Sequence, residues 1–279
     1  MKKGICSFAF SSGMTLNEIF CQAKDFGFDG VELCMDLQGE LTPDTPDEKI
    51  SEIRIDAEKA GIELYSVTSS LYWRASLTAD DINERSTAKH YAKKQIEAAK
   101  KLGCETVLVV PGHCGVDFAP GMGMVQYDAA YERALSAAKE LSSYAEAADV
   151  VIGMENVWNK FLLSPLEMKA FLDEVNSPYV KAYFDVGNVL INGYPEHWIK
   201  ILGSRIAKVH FKDFKRSIGN INGFCDLLAG DVDYKAVMDA LRETGYDGWV
   251  TAELTPYAAD NTVMLRHTSL AMDKIINNF

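Results

Sequence analysis

Four apolar runs in the second half of the chain each stop on a side chain that binds metal ions. They are Val150-Val151-Ile152-Gly153-Met154-Glu155, Val180-Lys181-Ala182-Tyr183-Phe184-Asp185, Ile206-Ala207-Lys208-Val209-His210 and Trp249-Val250-Thr251-Ala252-Glu253. In an extended run, successive side chains alternate between two faces. The parity opposite to the terminal groups is apolar throughout: Ile152 and Met154, Ala182 and Phe184, Val209 and Phe211, Ala252 and Leu254. Glu155, Asp185, His210 and Glu253 therefore share one face and can converge. Three carboxylates brought together repel one another and lose hydration, and one imidazole does not compensate three negative charges. A divalent cation does. Three carboxylates and one imidazole, with no thiolate, suit Mn²⁺, Mg²⁺ or Co²⁺ better than a structural Zn²⁺.

Other polar and aromatic residues are placed to meet a substrate. Glu32 ends the run Gly30-Val31-Glu32 and is a candidate to orient a hydroxyl; His113 follows the fourth apolar run in Pro111-Gly112-His113. Lys208 and Lys212 share the parity of His210. Lys208 precedes it and suits a buried ion pair, whereas Lys212 follows it and is a candidate contact for the substrate or its phosphate. Phe8, Trp73 and Trp158 can form an apolar wall, and His90, His197 and His267 fall in predicted helices, where they read as structural.

Something must position these groups, and the chain repeats one phrase that does so: a charged amphipathic run, a Gly, then a short apolar run. It occurs at Lys24-Asp25-Phe26-Gly27, Glu58-Lys59-Ala60-Gly61, Lys100-Lys101-Leu102-Gly103 and Arg242-Glu243-Thr244-Gly245. Each Gly suits the left-handed residue that ends a helix, and each following run suits a strand buried on both faces. Thr15-Leu16-Asn17-Glu18, Thr45-Pro46-Asp47-Glu48 and Ser164-Pro165-Leu166-Glu167 read as helix-opening capping boxes. The resulting expectation is strands near 4–10, 29–35, 63–69, 105–110, 150–155, 180–185, 206–211 and 249–254. Helices are expected near 15–26, 46–60, 85–102, 127–148, 164–175, 195–203, 233–244 and 261–277. Eight strands alternating with eight helices predict an α/β fold, a single (β/α)₈ barrel occupying 1–279 as one domain. Barrel active sites lie at the C-terminal ends of the strands, where all four candidate ligands fall. The longest loops, 111–126 and 212–232, are expected to shape that end.

Composition limits the partners. The 279 residues approach the roughly 250 of a typical barrel, and a chain of this size buries roughly three quarters of its unfolded surface without staples. A net charge of −12 argues against nucleic acid and anionic membranes. No stretch approaches the roughly 18 apolar residues of a membrane span. The start, Met1-Lys2-Lys3 and a short apolar run, lacks a cleavage site and reads as a first strand rather than a signal peptide. Six cysteines with no C-x-x-C pair read as buried reduced thiols of a cytoplasmic protein.

Several of these segments, taken in order, resemble a known family. They are Met154-Glu155-Asn156, Phe184-Asp185-Val186-Gly187-Asn188, Val209-His210-Phe211-Lys212-Asp213, Gly230-Asp231-Val232-Asp233-Tyr234 and Ala252-Glu253-Leu254. The set resembles the sugar phosphate isomerase/epimerase family, with its xylose isomerase-like TIM barrels, and the resemblance covers essentially the whole chain. It implies an isomerase of carbohydrate metabolism that binds a divalent metal, Mn²⁺ first, through Glu155, Asp185, His210 and Glu253. It implies that Glu155 and Glu253 are the acid–base pair of a ketose 3-epimerase, and that Arg216, six residues past His210, contacts substrate oxygens. Free-ketose 3-epimerases of the tagatose and psicose type carry a glutamate where this chain has Phe161, and a histidine where it has Asn188. The pattern Asp185-x-Gly187-Asn188 is closer to the pentulose-5-phosphate branch, and Lys212, Lys215 and Arg216 crowd one loop. The expected substrate is thus a small sugar or sugar phosphate, with Arg216, Lys212, Asn188, His113, Glu32 and Trp158 as candidate contacts. The same machinery suits an aldose–ketose isomerase. Alternatives on this barrel are a metal-dependent inosose-type dehydratase and a non-catalytic sugar-binding barrel. The resemblance also makes a homo-oligomer a candidate assembly.

Overall fold

The Gly-punctuated apolar runs become strands whose neighbours are all parallel. The structure is a computed structural model describing residues 1–279. Its strands are β1 (Lys2–Cys6), β2 (Gly30–Met35), β3 (Glu63–Ser69), β4 (Thr106–Val109), β5 (Val151–Glu155), β6 (Val180–Asp185), β7 (Ile206–Phe211), β8 (Asp213–Phe214), β9 (Phe224–Cys225) and β10 (Trp249–Ala252). Eight of them close a barrel in the order β1-β10-β7-β6-β5-β4-β3-β2, and β8 pairs with β9 as a separate antiparallel hairpin. The helices are α1 (Leu16–Asp25), α2 (Asp47–Ala60), α3 (Ile82–Leu102), α4 (Tyr127–Ala148), α5 (Pro165–Val175), α6 (Pro195–Leu202), α7 (Tyr234–Glu243) and α8 (Asn261–Asn278). The expected single (β/α)₈ barrel is the fold observed.

Local signals held at most boundaries. Gly27, Gly61, Gly103 and Gly245 all take φ between +71 and +79, closing α1, α2, α3 and α7. Thr15 and Glu18 form the full capping box of α1. Ser164 caps α5 through Glu167 N, but the Glu167 carboxylate accepts from Leu163 N rather than Ser164 N. Thr45 does not cap α2: its hydroxyl oxygen accepts from Thr42 N at 2.7 Å and it donates to Glu40 O, so a local turn takes the group the helix would have used. The first strand stops at Cys6, not at 10. There Ser7 Oγ accepts from Cys34 N at 2.9 Å in place of a strand bond, and 7–9 turn as a 3₁₀ segment. All six cysteines are free, but only Cys6 and Cys104 are buried; Cys21 is exposed on α1. No helix is long and apolar enough to cross a membrane.

The barrel interior below the strand ends holds large aromatics that glycines make room for. Tyr65 stacks on Trp249 with ring centroids 3.8 Å apart, and its hydroxyl meets Thr251 Oγ1 at 2.8 Å. Tyr183 fills the neighbouring space above Gly153, where a Cβ would lie 2.9 Å from Tyr183 Cβ. Tyr183 Cβ is fixed by the strand and cannot swing away. Gly153→Ala is therefore expected to destabilise the fold by about 1–3 kcal/mol through overpacking. A urea midpoint equal to that of the parent would refute this account of the barrel floor.

Candidate active site

Parallel register brings the four candidate ligands to one rim. Asp185 pairs with His210, and His210 with Thr251, two residues before Glu253. Glu155, the last residue of β5, lies beside Tyr183 of β6. The ligand atoms of Glu155, Asp185, His210 and Glu253 all fall within 4.8 Å of one another. His210 Nδ1 is 2.8 Å from Glu253 Oε2, 3.7 Å from Glu155 Oε1 and 3.8 Å from Asp185 Oδ2. Asp185 and His210 are fully buried and Glu155 nearly so.

Buried polar atoms are almost always hydrogen-bonded, yet Asp185 Oδ2, His210 Nδ1 and Glu253 Oε2 have no hydrogen bond of acceptable geometry. These three atoms, from three strand ends, are in charge contact with one another and with Lys212 but lack aligned hydrogen bonds, and they face one point. With an imidazole and carboxylate oxygens as donors, the cluster fits a hard divalent cation.

The surroundings hold these groups in place. His210 Nε2 lies 2.9 Å from Glu32 Oε1, and Glu32 Oε2 accepts from the Tyr183 hydroxyl. A carboxylate on the far nitrogen fixes the ring's orientation and tautomer and leaves Nδ1 for a metal. Asn156 clamps β5 to β6, donating to Asp185 O at 2.8 Å and accepting from Asp185 N at 2.9 Å. Asn188 N donates to Asp185 Oδ1 at 2.7 Å.

Charge divides the two glutamates. With the protein's own charges alone, burial, aided by the Glu253 charge, pushes the Glu155 carboxyl up to about 7, with His210 and Lys212 opposing. Burial also pushes Glu253 upward, but the nearby Lys212 and His210 charges outweigh it and hold Glu253 below the usual carboxylate range. Burial would lower the His210 pKa, but the charges of Glu32 and Glu253 raise it well above the ordinary value.

A cavity of about 240 Å³ opens over the cluster. Phe8, Trp73 and Trp158 line it as the expected apolar wall, together with Asn188 and Lys212; Thr68, Ser69 and Ser70 form its hydroxyl-bearing side. Three expected contacts lie elsewhere. Glu32 is fully buried beneath His210, because the imidazole and Tyr183 claim both its oxygens. His113 is drawn back and buried behind Trp73 and Val110, where there is no room for a water molecule. There Thr78 Oγ1 accepts from His113 N and donates to His113 O, both at 2.8 Å, while Asn159 donates to Gly112 O at 2.7 Å. Arg216 spans away to the loop after β6, donating to Leu190 O at 3.1 Å and Gly193 O at 3.3 Å, with its guanidinium 5.0 Å over the Tyr194 ring. Those carbonyls offer it partners that a substrate would otherwise supply. Lys208 is buried and pairs with Glu105, but the Glu105 carboxylate is largely exposed, so the expected buried ion pair is buried on the lysine side alone. Phe161 packs in the core against Tyr127 and Tyr131.

Comparison with known proteins matches residues 20–269 to the model of the xylose isomerase-like TIM barrel. This chain belongs to that family. All four clustered ligands, and every residue of the cavity wall except Phe8, fall inside the matched span. An L-ribulose-5-phosphate 3-epimerase of Salmonella paratyphi A is 23% identical, the alignment spanning 92% of this chain and 88% of the relative. An inosose dehydratase of Lacticaseibacillus casei is 24% identical over 37% of this chain and 40% or more of its own. Among solved structures, an L-ribulose 3-epimerase superposes with a TM-score of 0.82 at 18% identity, covering 99% of this chain and 94% of that one. Within this family's barrel, Tyr183 and Asn156 are the site residues that the sequence left unassigned. Tyr183 shares the inward parity of Asp185, and Asn156 directly follows Glu155, so both signals were present.

Proposed function

We propose that this xylose isomerase-like barrel is a divalent metal-dependent isomerase that epimerises a keto-sugar at the carbon beside its carbonyl. The observation that carries this reading is the convergence of Glu155 and Glu253, from β5 and the end of β10, on one buried cluster with three donor atoms that lack aligned hydrogen bonds. A divalent cation held by Glu155, Asp185, His210 and Glu253 would supply Lewis acidity toward the carbonyl oxygen and its neighbouring hydroxyl. The chain's own groups do the rest. One glutamate takes the C3 proton and the other returns a proton to the opposite face, exchanging roles in the reverse direction. Trp73, Trp158 and Phe8 exclude water, while Thr68 offers a hydroxyl for the sugar's own. Incubation with pentuloses, hexuloses and their phosphates in D₂O with Mn²⁺ tests the reading. One solvent deuterium at C3 of both epimers is expected. Loss of the mass of one water would instead identify a dehydratase.

A phosphorylated substrate is a second, finer reading. It is favoured by the L-ribulose-5-phosphate relative and by Lys212, the one cation lining the cavity, with Lys215 and Arg216 following on the same loop. Here Arg216 would have to leave Leu190 and Gly193 for the phosphate. An arginine–phosphate contact is worth roughly 1.5–3 kcal/mol, so Arg216→Ala should lower kcat/KM for the phosphate about 10- to 150-fold and spare the neutral parent. Equal loss on both, or none on either, would refute the phosphate reading.

The support beneath His210 carries its own prediction. Glu32→Gln keeps the shape but weakens the hold on His210 Nε2, and loss of such an outer partner typically costs 10- to 100-fold in metal affinity. Calorimetric titration with Mn²⁺ should show that loss. Undiminished affinity would leave Glu32 a packing group.

A further inference from the structure

Lys212 sits where the cluster lacks a cation. Its Nζ is 2.6 Å from Glu253 Oε2 and 3.3 Å from Asp185 Oδ2. Both oxygens are among the atoms left without a well-aligned hydrogen bond. The ammonium is thus held by charge more than by directed bonds, and charge alone does not fix it there against a competing cation.

The root of this side chain is rigid. Tyr234 donates its hydroxyl to Lys212 O at 3.0 Å. The next residue, Asp213, is buried and accepts from Phe214 N, Gly230 N and Val232 N at 2.8, 3.1 and 3.2 Å. Gly187 packs so closely that a Cβ there would lie 2.5 Å from Lys212 Cβ. The far end, paired with the two carboxylates, also borders the cavity, with Nζ 5.5 Å from the centroid of the Phe224 ring. With its base fixed, rotation about the side chain's own bonds gives the ammonium two positions, one among the carboxylates and one facing the cavity.

A metal ion among the four ligand atoms would stand within a few ångströms of Nζ. Two cations at roughly 4 Å in a partly buried site repel strongly enough to shift an equilibrium by more than tenfold. We propose that Lys212 is an internal counter-ion: it neutralises Asp185 and Glu253 before the metal arrives, and metal binding displaces its ammonium into the substrate cavity. This rests on the metal-site reading given above. Metal binding then becomes an exchange of one cation for another. The donor that would greet a substrate oxygen is presented only by the loaded site, which favours metal before substrate.

The test uses the full chain stripped by chelation, with Mn²⁺ alone as probe, in wild type, Lys212→Met and Lys212→Arg. Lys212→Met should unfold at a lower temperature than wild type without metal and at a similar temperature with saturating Mn²⁺. Its calorimetric affinity for Mn²⁺ should be tighter by at least about tenfold, the scale of removing one competing unit charge. Lys212→Arg, which keeps the charge, should bind Mn²⁺ nearer to wild type. In wild type, amine acetylation of Lys212 followed by mass spectrometry should run faster with Mn²⁺ than without. Unchanged or weaker Mn²⁺ affinity in Lys212→Met overturns the proposal while the metal site stands, as does slower labelling of the loaded protein. A Met variant that folds only with Mn²⁺ supports it; one that folds under neither condition makes Lys212 architectural and overturns it. A wild type that binds no divalent ion sinks the metal-site reading itself.

Discussion

Glu155→Gln and Glu253→Gln are each expected to lower turnover by about 100- to 10,000-fold, the usual contribution of a positioned acid or base. Glutamine keeps the volume and one oxygen of the carboxylate but cannot carry the proton. Epimerisation needs both transfers, so either loss becomes limiting and neither variant should rescue the other. Both residues are also candidate ligands, so each variant is compared at saturating Mn²⁺ with its metal content measured; a loss due to vacancy alone would disappear. Solvent deuterium entering the substrate without inversion, in one variant only, would show which face each glutamate serves. Near-normal turnover in either variant would refute two-base chemistry.

What the sequence made legible follows from which interactions are local. Alternation is local, so the parity of Met154 against Glu155 and Phe184 against Asp185 placed both carboxylates on the inner face before any tertiary contact was known. Helix closure is local too, and Gly27, Gly61, Gly103 and Gly245 took the left-handed conformations their positions called for. Direction after a strand has ended is not local. Arg216 was expected to contact substrate oxygens, but its rotamer is decided by Leu190 O and Gly193 O, more than twenty residues away. His113 was turned from the cavity by Thr78 and Asn159, each more than thirty residues distant. Glu32 was expected to meet a sugar hydroxyl, but its place beneath His210 depends on β2 and β7, which are not neighbours, facing each other across the closed barrel, and no single run encodes that. The β8–β9 hairpin was hidden for a related reason. Its strands span two residues each and are pinned by one buried carboxylate, Asp213, and by Gly230, whose Cβ would lie 2.2 Å from Asp213 Oδ1. A two-residue strand has no periodicity to read.

Asp185→Ala is expected to abolish metal binding and to lower activity on the order of 1,000-fold or more, since Lewis acidity supplies several kcal/mol of transition-state stabilisation. Asp185 is the cleanest ligand to remove because no proton transfer is asked of it. One of its oxygens accepts from Asn188 N at 2.7 Å, and the other faces the cluster with the Lys212 ammonium at 3.3 Å but no aligned hydrogen bond. Chelation of the parent should produce the same loss, and Mn²⁺ should restore the parent but not the variant. Stability gives a second readout that is independent of any substrate. A ligand that binds only the folded state raises stability by RT ln(1 + [L]/Kd), about 2.7 kcal/mol at a hundredfold excess over Kd. The parent should therefore unfold several degrees higher with Mn²⁺ than without, and Asp185→Ala should show no such gain. If the variant keeps the full Mn²⁺-dependent rise, Asp185 is not a ligand and the ion sits elsewhere. If the parent shows neither a rise nor a loss on chelation, the atoms of Asp185, His210 and Glu253 that lack aligned hydrogen bonds require an explanation other than a metal.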